Sequence, residues 1–277
     1  YAEGGKVQGT ELTNGAPHCN LTEAVMLAKR ADVSVLVLGL NAQIEGEQGD
    51  AGNSEAAGDK PDLELTGLQQ QLLEAVVAVG KPVVVVLVAG SALAVTFAEQ
   101  RAAALLQAWY PGEEGGSALA DVLFGDVSPA GRLPVTFPRS LADVPAFDDY
   151  AMRGRTYRYL EAEPLFPFGY GLSYTRFHYA QLELSHVAAG VTEGLLIDVS
   201  VLVTNAGTRA SDEVVQLYVK DLESSVSVPV HELRGVQRLH LAAGASQRVS
   251  FQLSAKSLSL IDEAGRRVLE PGKFRIF

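Results

Sequence analysis

The stretch Val33-Ser-Val-Leu-Val-Leu-Gly39 is β-branched and apolar at positions that point to both faces of a strand. Such a run is expected of a parallel strand covered by helices on each side, not of a half-solvated antiparallel one. Just before it, Asn20 followed three residues later by Glu23 forms a capping-box pattern, and Leu21, Ala24, Val25, Leu27 and Ala28 recur at helical spacing. This predicts a helix from about residue 21 to 31. The cycle then repeats: Thr66 and Gln69 are expected to cap a helix carrying Leu68, Leu72, Leu73, Val76 and Val77, Gly80 ends it, and Val83 to Val88 reads as the next strand. A third unit follows, with Ala103 to Trp109 as a strand and Gly116 to Phe124 as a helix. Helix–strand alternation means an α/β domain with a mainly parallel sheet.

From about residue 126 to 176 the texture changes to Gly, Pro, Tyr and Phe, which reads as irregular connection. Beyond Phe177 the apolar residues alternate, as in Leu195, Ile197, Val199, Val201 and Val203 and again in Val215, Leu217 and Val219. Turn signals stand at Asn205-Ala-Gly207 and Ala243-Gly244. Short strands at this spacing predict an all-β sandwich.

The 277 residues, 47% hydrophobic and 20% charged, suffice for two cores. A net charge of −11 without any Lys/Arg run argues against a nucleic-acid partner. The longest apolar stretch, Pro82 to Ala89, falls far short of the roughly 20 residues that span a bilayer, so no membrane partner is expected. The opening residues YAEGGKVQGT have no charged-then-apolar leader pattern. Cys19 is the only cysteine, and His18, His178, His186, His231 and His240 have no companions at metal-ligand spacing, so neither a metal nor another cofactor is expected.

Three stretches carry a resemblance. They are Trp109-Tyr-Pro-Gly-Glu-Glu-Gly-Gly116, Gly125-Asp-Val-Ser-Pro-Ala-Gly-Arg-Leu-Pro-Val-Thr-Phe-Pro138 and Phe166-Pro-Phe-Gly-Tyr-Gly-Leu-Ser-Tyr-Thr175. In this order and spacing the chain resembles the C-terminal part of family-3 glycoside hydrolases, from the helix at 21 to the last strand. The resemblance implies an α/β sandwich domain over 1–140, an aromatic-rich linker over 141–176 and a fibronectin-III-like domain over 177–277. Members of the family usually begin with a TIM-type barrel that supplies a nucleophilic aspartate. No counterpart of that motif occurs here, and Asp143, Asp148 and Asp149 sit in the linker. Tyr1-Ala-Glu-Gly resembles the second turn of the sandwich domain, and the final strand stops at Phe277, so both ends look cut.

Retaining glycosidases use two carboxyl groups about 5–5.5 Å apart, one as nucleophile and one as acid/base. This chain is expected to supply the second, from the loop after the Val33–Gly39 strand, because α/β sheets place ligands at the carboxyl ends of their strands. Family members carry in this loop a Glu within Gly-Glu-Gly or Glu-Ala-Glu-Gly, then Gly-Asp-Arg, Leu-Pro and a Gln at the next helix. Here Glu45-Gly-Glu47, Gly58-Asp59-Lys60, Leu65-Thr66 and Gln69 occupy those places, with Lys60 where the family has Arg. The resemblance therefore points to Glu47 as acid/base, with Glu45 and then Glu55 as alternatives. On composition alone, a loop rich in Gly, Glu and Asp is more often a solvated connection than a catalytic one.

Other features have plainer readings. Glu113 and Glu114 precede a helix, where its macrodipole favours negative charge. Trp109, at the end of an apolar strand, is expected in the core rather than under a sugar ring. The aromatic set Tyr157, Tyr159, Phe166, Phe168, Tyr170 and Tyr174 is expected to pack the domains together.

The family resemblance implies an exo-acting, retaining β-glycosidase with a glycoside or oligosaccharide as substrate and the upstream barrel of the same polypeptide as partner. β-Glucosidase is its commonest activity. β-Xylosidase, α-L-arabinofuranosidase and N-acetyl-β-glucosaminidase also occur, the last disfavoured by the Glu-rich loop. A non-catalytic carbohydrate-binding or scaffold module is the competing class.

Overall fold

The computed structural model describes residues 17–41, 45, 60–185 and 194–277, with side chains from residue 21 onward. The backbone packs as two compact units, one of residues up to Leu119 with Phe137–Val144, the other of Ala120–Thr136 with Pro145–Phe277.

The first unit opens with α1 (Pro17–Arg30), β1 (Ser34–Gly39), α2 (Gln69–Val77), β2 (Val83–Val88), α3 (Thr96–Arg101) and β3 (Ala104–Gln107). The strands form one parallel sheet in the order β1-β2-β3. Its register pairs Ser34 with Val83 and Gly39 with Val88, and Val84 with Ala104. Beyond β3 comes α4 (Gly115–Phe124).

Three expectations need correction. The first helix begins at Pro17 rather than at 21, since a proline suits the first helical turn, where no N–H partner is needed. Asn20 therefore lies inside the helix instead of capping it. Gln69 does not cap α2, whose first turn has no side-chain cap. Its amide instead reaches the end of β1: Oε1 accepts from the Gly39 N–H at 2.6 Å and Nε2 donates to the Gly39 carbonyl at 2.8 Å and to Thr66 Oγ1 at 3.1 Å. Only β2 is apolar-buried at positions of both parities, with Val83, Val85, Val86 and Leu87 at most 2% exposed. On β1, Val35 and Val37 are 49% and 62% exposed, because β1 is the edge of the described sheet. The short helix α3 carries too few apolar repeats to announce itself in the sequence.

Gly39 sits where only glycine fits. Its φ of +134° is closed to L side chains, and a Cβ would stand 2.1 Å from the Val88 carbonyl oxygen.

The second unit holds the one-turn helix α5 (Thr156–Tyr159), and then the strands β4 (Phe177–Leu184), β5 (Leu196–Asn205), β6 (Ser211–Asp221), β7 (Glu232–Leu241) and β8 (Ser246–Ser254). After them come α6 (Ala255–Leu258), β9 (Leu260–Ile261), β10 (Arg267–Val268) and β11 (Phe274–Ile276). Two antiparallel three-stranded sheets, β4-β5-β8 and β11-β6-β7, face each other, with β9-β10 as a small ribbon. Alternation does the rest. Ile197, Val199 and Leu253 of one sheet meet Leu217 and Val219 of the other, and Val203 and Val249 meet Val215, Leu239 and Leu241. Each such buried side chain contributes about 1.5–3 kcal/mol.

Asn205, fully buried, ties the end of β5 together. Its Nδ2 donates to the carbonyls of Arg209 at 2.7 Å and Leu241 at 3.0 Å, and its Oδ1 accepts from Thr175 Oγ1 at 2.6 Å and Gly207 N at 3.1 Å. The Gly131-Arg-Leu-Pro segment is anchored to the sandwich by an ion pair, Arg132 Nη2 to Glu213 Oε2 at 2.8 Å, with Tyr179 donating to Glu213 Oε1 at 2.7 Å. Burial first, and the Glu213 carboxylate second, push the Tyr179 phenol well above its ordinary pKa. The aromatic set gathers within this unit. Tyr157 stacks on Phe168 at 4.1 Å and meets Tyr218 edge-on at 6.2 Å, and Phe166 stacks on Tyr170 at 5.4 Å.

Candidate functional site

Three loops leave the carboxyl ends of β1, β2 and β3, and they converge on one carboxylate. Glu45, from the loop after β1, accepts a hydrogen bond at Oε2 from the Gly90 N–H at 2.9 Å, in the loop after β2. The Ser91 hydroxyl, next in the same loop, donates to Oε1. The Tyr110 phenol, from the segment after β3, donates to Oε2. Parallel strands bring this about, because all three end on the same edge of the sheet.

The backbone supports the convergence. Leu40 N–H donates to the Val88 carbonyl at 2.7 Å and Ala108 N–H to that of Leu87 at 2.8 Å, so the ladder runs on past the strands. Glu45 N–H donates to the Asn41 carbonyl at 2.9 Å. Trp109 takes a φ of 56°, in the left-handed region that non-glycine residues seldom occupy. Strain of this kind persists where the surroundings over-determine the chain, and here it separates the Trp109 ring from the Tyr110 ring. Trp109 is half-buried, so it sits at the margin of the core rather than within it, and it packs edge-on against the buried Phe137 at 6.2 Å. Gly90 leaves room for the site: a Cβ there would stand 2.8 Å from Tyr110 Cε2 and 3.0 Å from Glu45 Oε2.

The electrostatics follow from the donors. Partial burial alone would raise the Glu45 pKa, but the hydrogen bonds from Ser91, Tyr110 and the backbone outweigh it and hold the carboxyl below its ordinary value. Tyr110 moves the opposite way. Desolvation and then the Glu45 carboxylate push its phenol up to about 12. Glu45 is thus a fixed anion with a protonated phenol upon it.

Of the residues expected at the site, Glu45 is placed here, while Glu47 and Glu55 lie outside the described residues, as do Gly58 and Asp59. Lys60 pairs with Asp62, and Gln69 holds the start of the loop through Gly39. Glu113 and Glu114 are exposed immediately ahead of α4. In the linker, Asp143 accepts from the Ser140 N–H at 2.9 Å and Asp149 from the Ala151 N–H at 2.9 Å, so both shape turns. Among the described residues, no three His, Cys, Asp or Glu side chains gather as a metal site. Sequence reading missed Ser91 and Tyr110. The only signal for them was their place just after two of the predicted strands.

The comparisons with known proteins agree with this architecture. Residues 9–174 match the glycosyl hydrolase family 3 C-terminal domain, and residues 213–277 match a fibronectin type III-like domain. A β-xylosidase of Formosa agariphila is 40% identical over 261 residues, covering 92% of this chain and 34% of its own length. A periplasmic β-glucosidase of Salmonella typhimurium is 37% identical over 282 residues, covering 98% of this chain and 35% of its own length. Among solved structures, a β-glucosidase of Erythrobacter marinus superposes with a TM-score of 0.82 at 38% identity, over 96% of this chain and 36% of that one. A Kluyveromyces marxianus β-glucosidase in complex with glucose gives 0.78 at 34% identity, over 95% and 32%. The chain thus spans about a third of the length of these relatives. A parallel α/β sheet followed by a fibronectin-like sandwich, matched in sequence over nearly all its length, places this chain in glycoside hydrolase family 3.

Proposed function

We propose that the chain is the C-terminal portion of a retaining, exo-acting β-glycosidase and that it contributes the acid/base, Glu47, to a site whose nucleophilic aspartate lies in a barrel domain outside these 277 residues. The observation that carries the reading is the fastening of Glu45 by Gly90, Ser91 and Tyr110, which fixes one end of the Glu-rich loop at the carboxyl edge of the sheet. A general acid must hold its proton near neutrality, which calls for a raised carboxyl pKa. Glu45 is shifted the other way by its donors, so it suits an anchor, and the proposed proton carrier is Glu47, two residues on, with Glu55 as the alternative.

In the reaction so read, Glu47 protonates the departing glycosidic oxygen while the aspartate attacks the anomeric carbon. Glu47, now anionic, then takes a proton from the water that releases the sugar. The test is Glu47→Ala in the complete enzyme. Turnover of substrates with poor leaving groups should fall about 100-fold or more, the range for losing general acid/base help. On aryl glycosides of very acidic phenols, which leave without protonation, release of the sugar still lacks its base, so azide, which needs no deprotonation, should restore turnover and give a glycosyl azide of retained configuration. Near-wild-type activity for Glu47→Ala, with these losses appearing in Glu55→Ala or Glu45→Ala, would move the role to that residue.

Terminal β-D-glucosyl residues are the proposed substrate. β-D-Xylosyl residues are the second reading, favoured by the similarity to the Formosa agariphila β-xylosidase and to a xylan 1,4-β-xylosidase of Xylanibacter ruminicola, 39% identical. The ratio of kcat/KM on 4-nitrophenyl β-D-glucoside and β-D-xyloside decides between them.

A further inference from the structure

The β-sandwich unit has a cavity of about 430 Å³, remote in sequence from the Glu45 loop, that the catalytic reading does not use. Ligand pockets begin at roughly 300 Å³. Three guanidinium groups line it, those of Arg158 on α5, Arg234 on β7 and Arg267 on β10, against two carboxylates, Asp221 and Glu232. The cavity is therefore net cationic in a chain whose net charge is −11.

Glu232 is already engaged. One of its oxygens accepts from Arg158 Nη2 and the other from Arg234 Nη2. The Nε–H groups of both arginines are closed to solvent and have no acceptor among the described residues, so a ligand would meet the Nη groups instead. Each guanidinium carries five N–H donors, so one shared carboxylate leaves the pair short of acceptors. Arg267 gives a bond to Ser259 Oγ at 3.0 Å and otherwise stands exposed. Beside this donor-rich side lie the Tyr159 ring, with the Arg158 guanidinium 5.9 Å from its centroid, and an apolar floor that includes Val219 and Phe274. Hydroxyls at Ser227 and Ser257 complete the rim.

We propose that this cavity is a second carbohydrate-binding site that takes an acidic sugar, a uronate unit carried on an oligosaccharide. The planar carboxylate of the sugar meets guanidinium N–H pairs, the geometry in which arginine binds best. The C–H face of the ring lies on the apolar floor and its hydroxyls meet the serines. Every residue invoked belongs to the β-sandwich unit, so the site stands or falls separately from the role of Glu47.

The experiment is calorimetric titration of the 277-residue chain with three probes: glucuronate-substituted xylotriose, neutral xylotetraose and sodium acetate. The acidic oligosaccharide should bind about 10-fold or more tightly than the neutral one, since a charge-assisted pair is worth about that factor, and its affinity should fall as NaCl is raised. Arg234→Gln and Arg267→Gln should each weaken it several-fold while leaving the weak neutral binding unchanged. Arg267 lies at the exposed edge and pairs with no carboxylate among the described residues, so its variant tests the site even if Arg234→Gln, which removes one of the two arginines on Glu232, disturbs the fold. Equal affinity for acidic and neutral probes, or wild-type binding by the Arg267 variant, would overturn the proposal. So would acetate displacing the oligosaccharide at matched concentration, which would make the cavity a carboxylate site without sugar recognition.

Discussion

The Tyr110 phenol donates to the carboxylate of Glu45 from 65 residues away in sequence, linking the segment after β3 to the loop after β1. That bond, with those from Gly90 and Ser91, makes the carboxyl edge of the sheet a single fastened unit. Its consequences can be measured without any substrate.

Tyr110→Phe removes one of the donors and keeps the ring. Gly90 N–H still faces Glu45 at 2.9 Å, but on a carboxylate held by fewer bonds. Amide exchange at Gly90, followed by NMR in the intact chain, should speed up about 10-fold, in proportion to the extra local opening. Unchanged protection would mean that the phenol does not hold the loop.

Gly90→Ala should act on the same contacts from the other side. The new methyl would crowd Tyr110 Cε2 at 2.8 Å and Glu45 Oε2 at 3.0 Å, both on side chains that can swing away, while the strand beneath is untouched. The expected result is loss of the Tyr110–Glu45 bond with little change in overall unfolding, read as a fall of the Tyr110 phenol from about 12 toward its ordinary value near 10 in a spectrophotometric titration.

The pH dependence has a definite sign. Glu45 has a folded pKa below its unfolded one, so its fastening contributes above the unfolded value of about 4.3 and is lost as pH falls through the lower folded value. The protection of the Gly90 amide, corrected for its intrinsic exchange rate at each pH, should accordingly fall only on the acid side of the unfolded value. In Glu45→Gln that acid step should vanish.

In the β-sandwich, Asn205→Ala leaves two carbonyls and the Thr175 hydroxyl without their partner inside the protein. Each orphaned buried group costs about 1–3 kcal/mol, and with partial relaxation the sum should be about 3 kcal/mol. Urea unfolding followed by far-UV circular dichroism checks this, and Asn205→Asp, which keeps only the acceptor side, should not rescue it.

Glu213→Ala should be comparably severe. It strands the Arg132 guanidinium, 14% exposed, and leaves the Tyr179 hydroxyl without its acceptor. Breaking a buried pair from one side typically costs about 3–5 kcal/mol. Replacing Arg132 and Glu213 together by Met and Leu should cost much less than the single change, and the urea midpoints of the variants compare the two.

Sequence by itself determined the elements that follow from periodicity: the run Val83–Val88 is β2 to the residue, and alternation at Ile197, Val199 and Val203 gave the buried face of β5. Apolar patterning and turn glycines are local, and burial obeys them wherever neighbours exist on the side they face. The family, too, was legible in the residues, since Trp109–Gly116, Gly125–Pro138 and Phe166–Thr175 are contiguous motifs. Only the tertiary structure decided that Gln69 serves Gly39 instead of its own helix, because a side-chain amide takes whichever buried backbone groups lack partners. Only the structure showed that Val35 and Val37 on β1 stand exposed, for an edge strand has a neighbour on one side alone. And only the structure showed what holds Glu45. Composition makes the loop glutamates equivalent, whereas the Glu45 carboxyl is held low by donors that the segments after β2 and β3 bring to it, which no local pattern encodes.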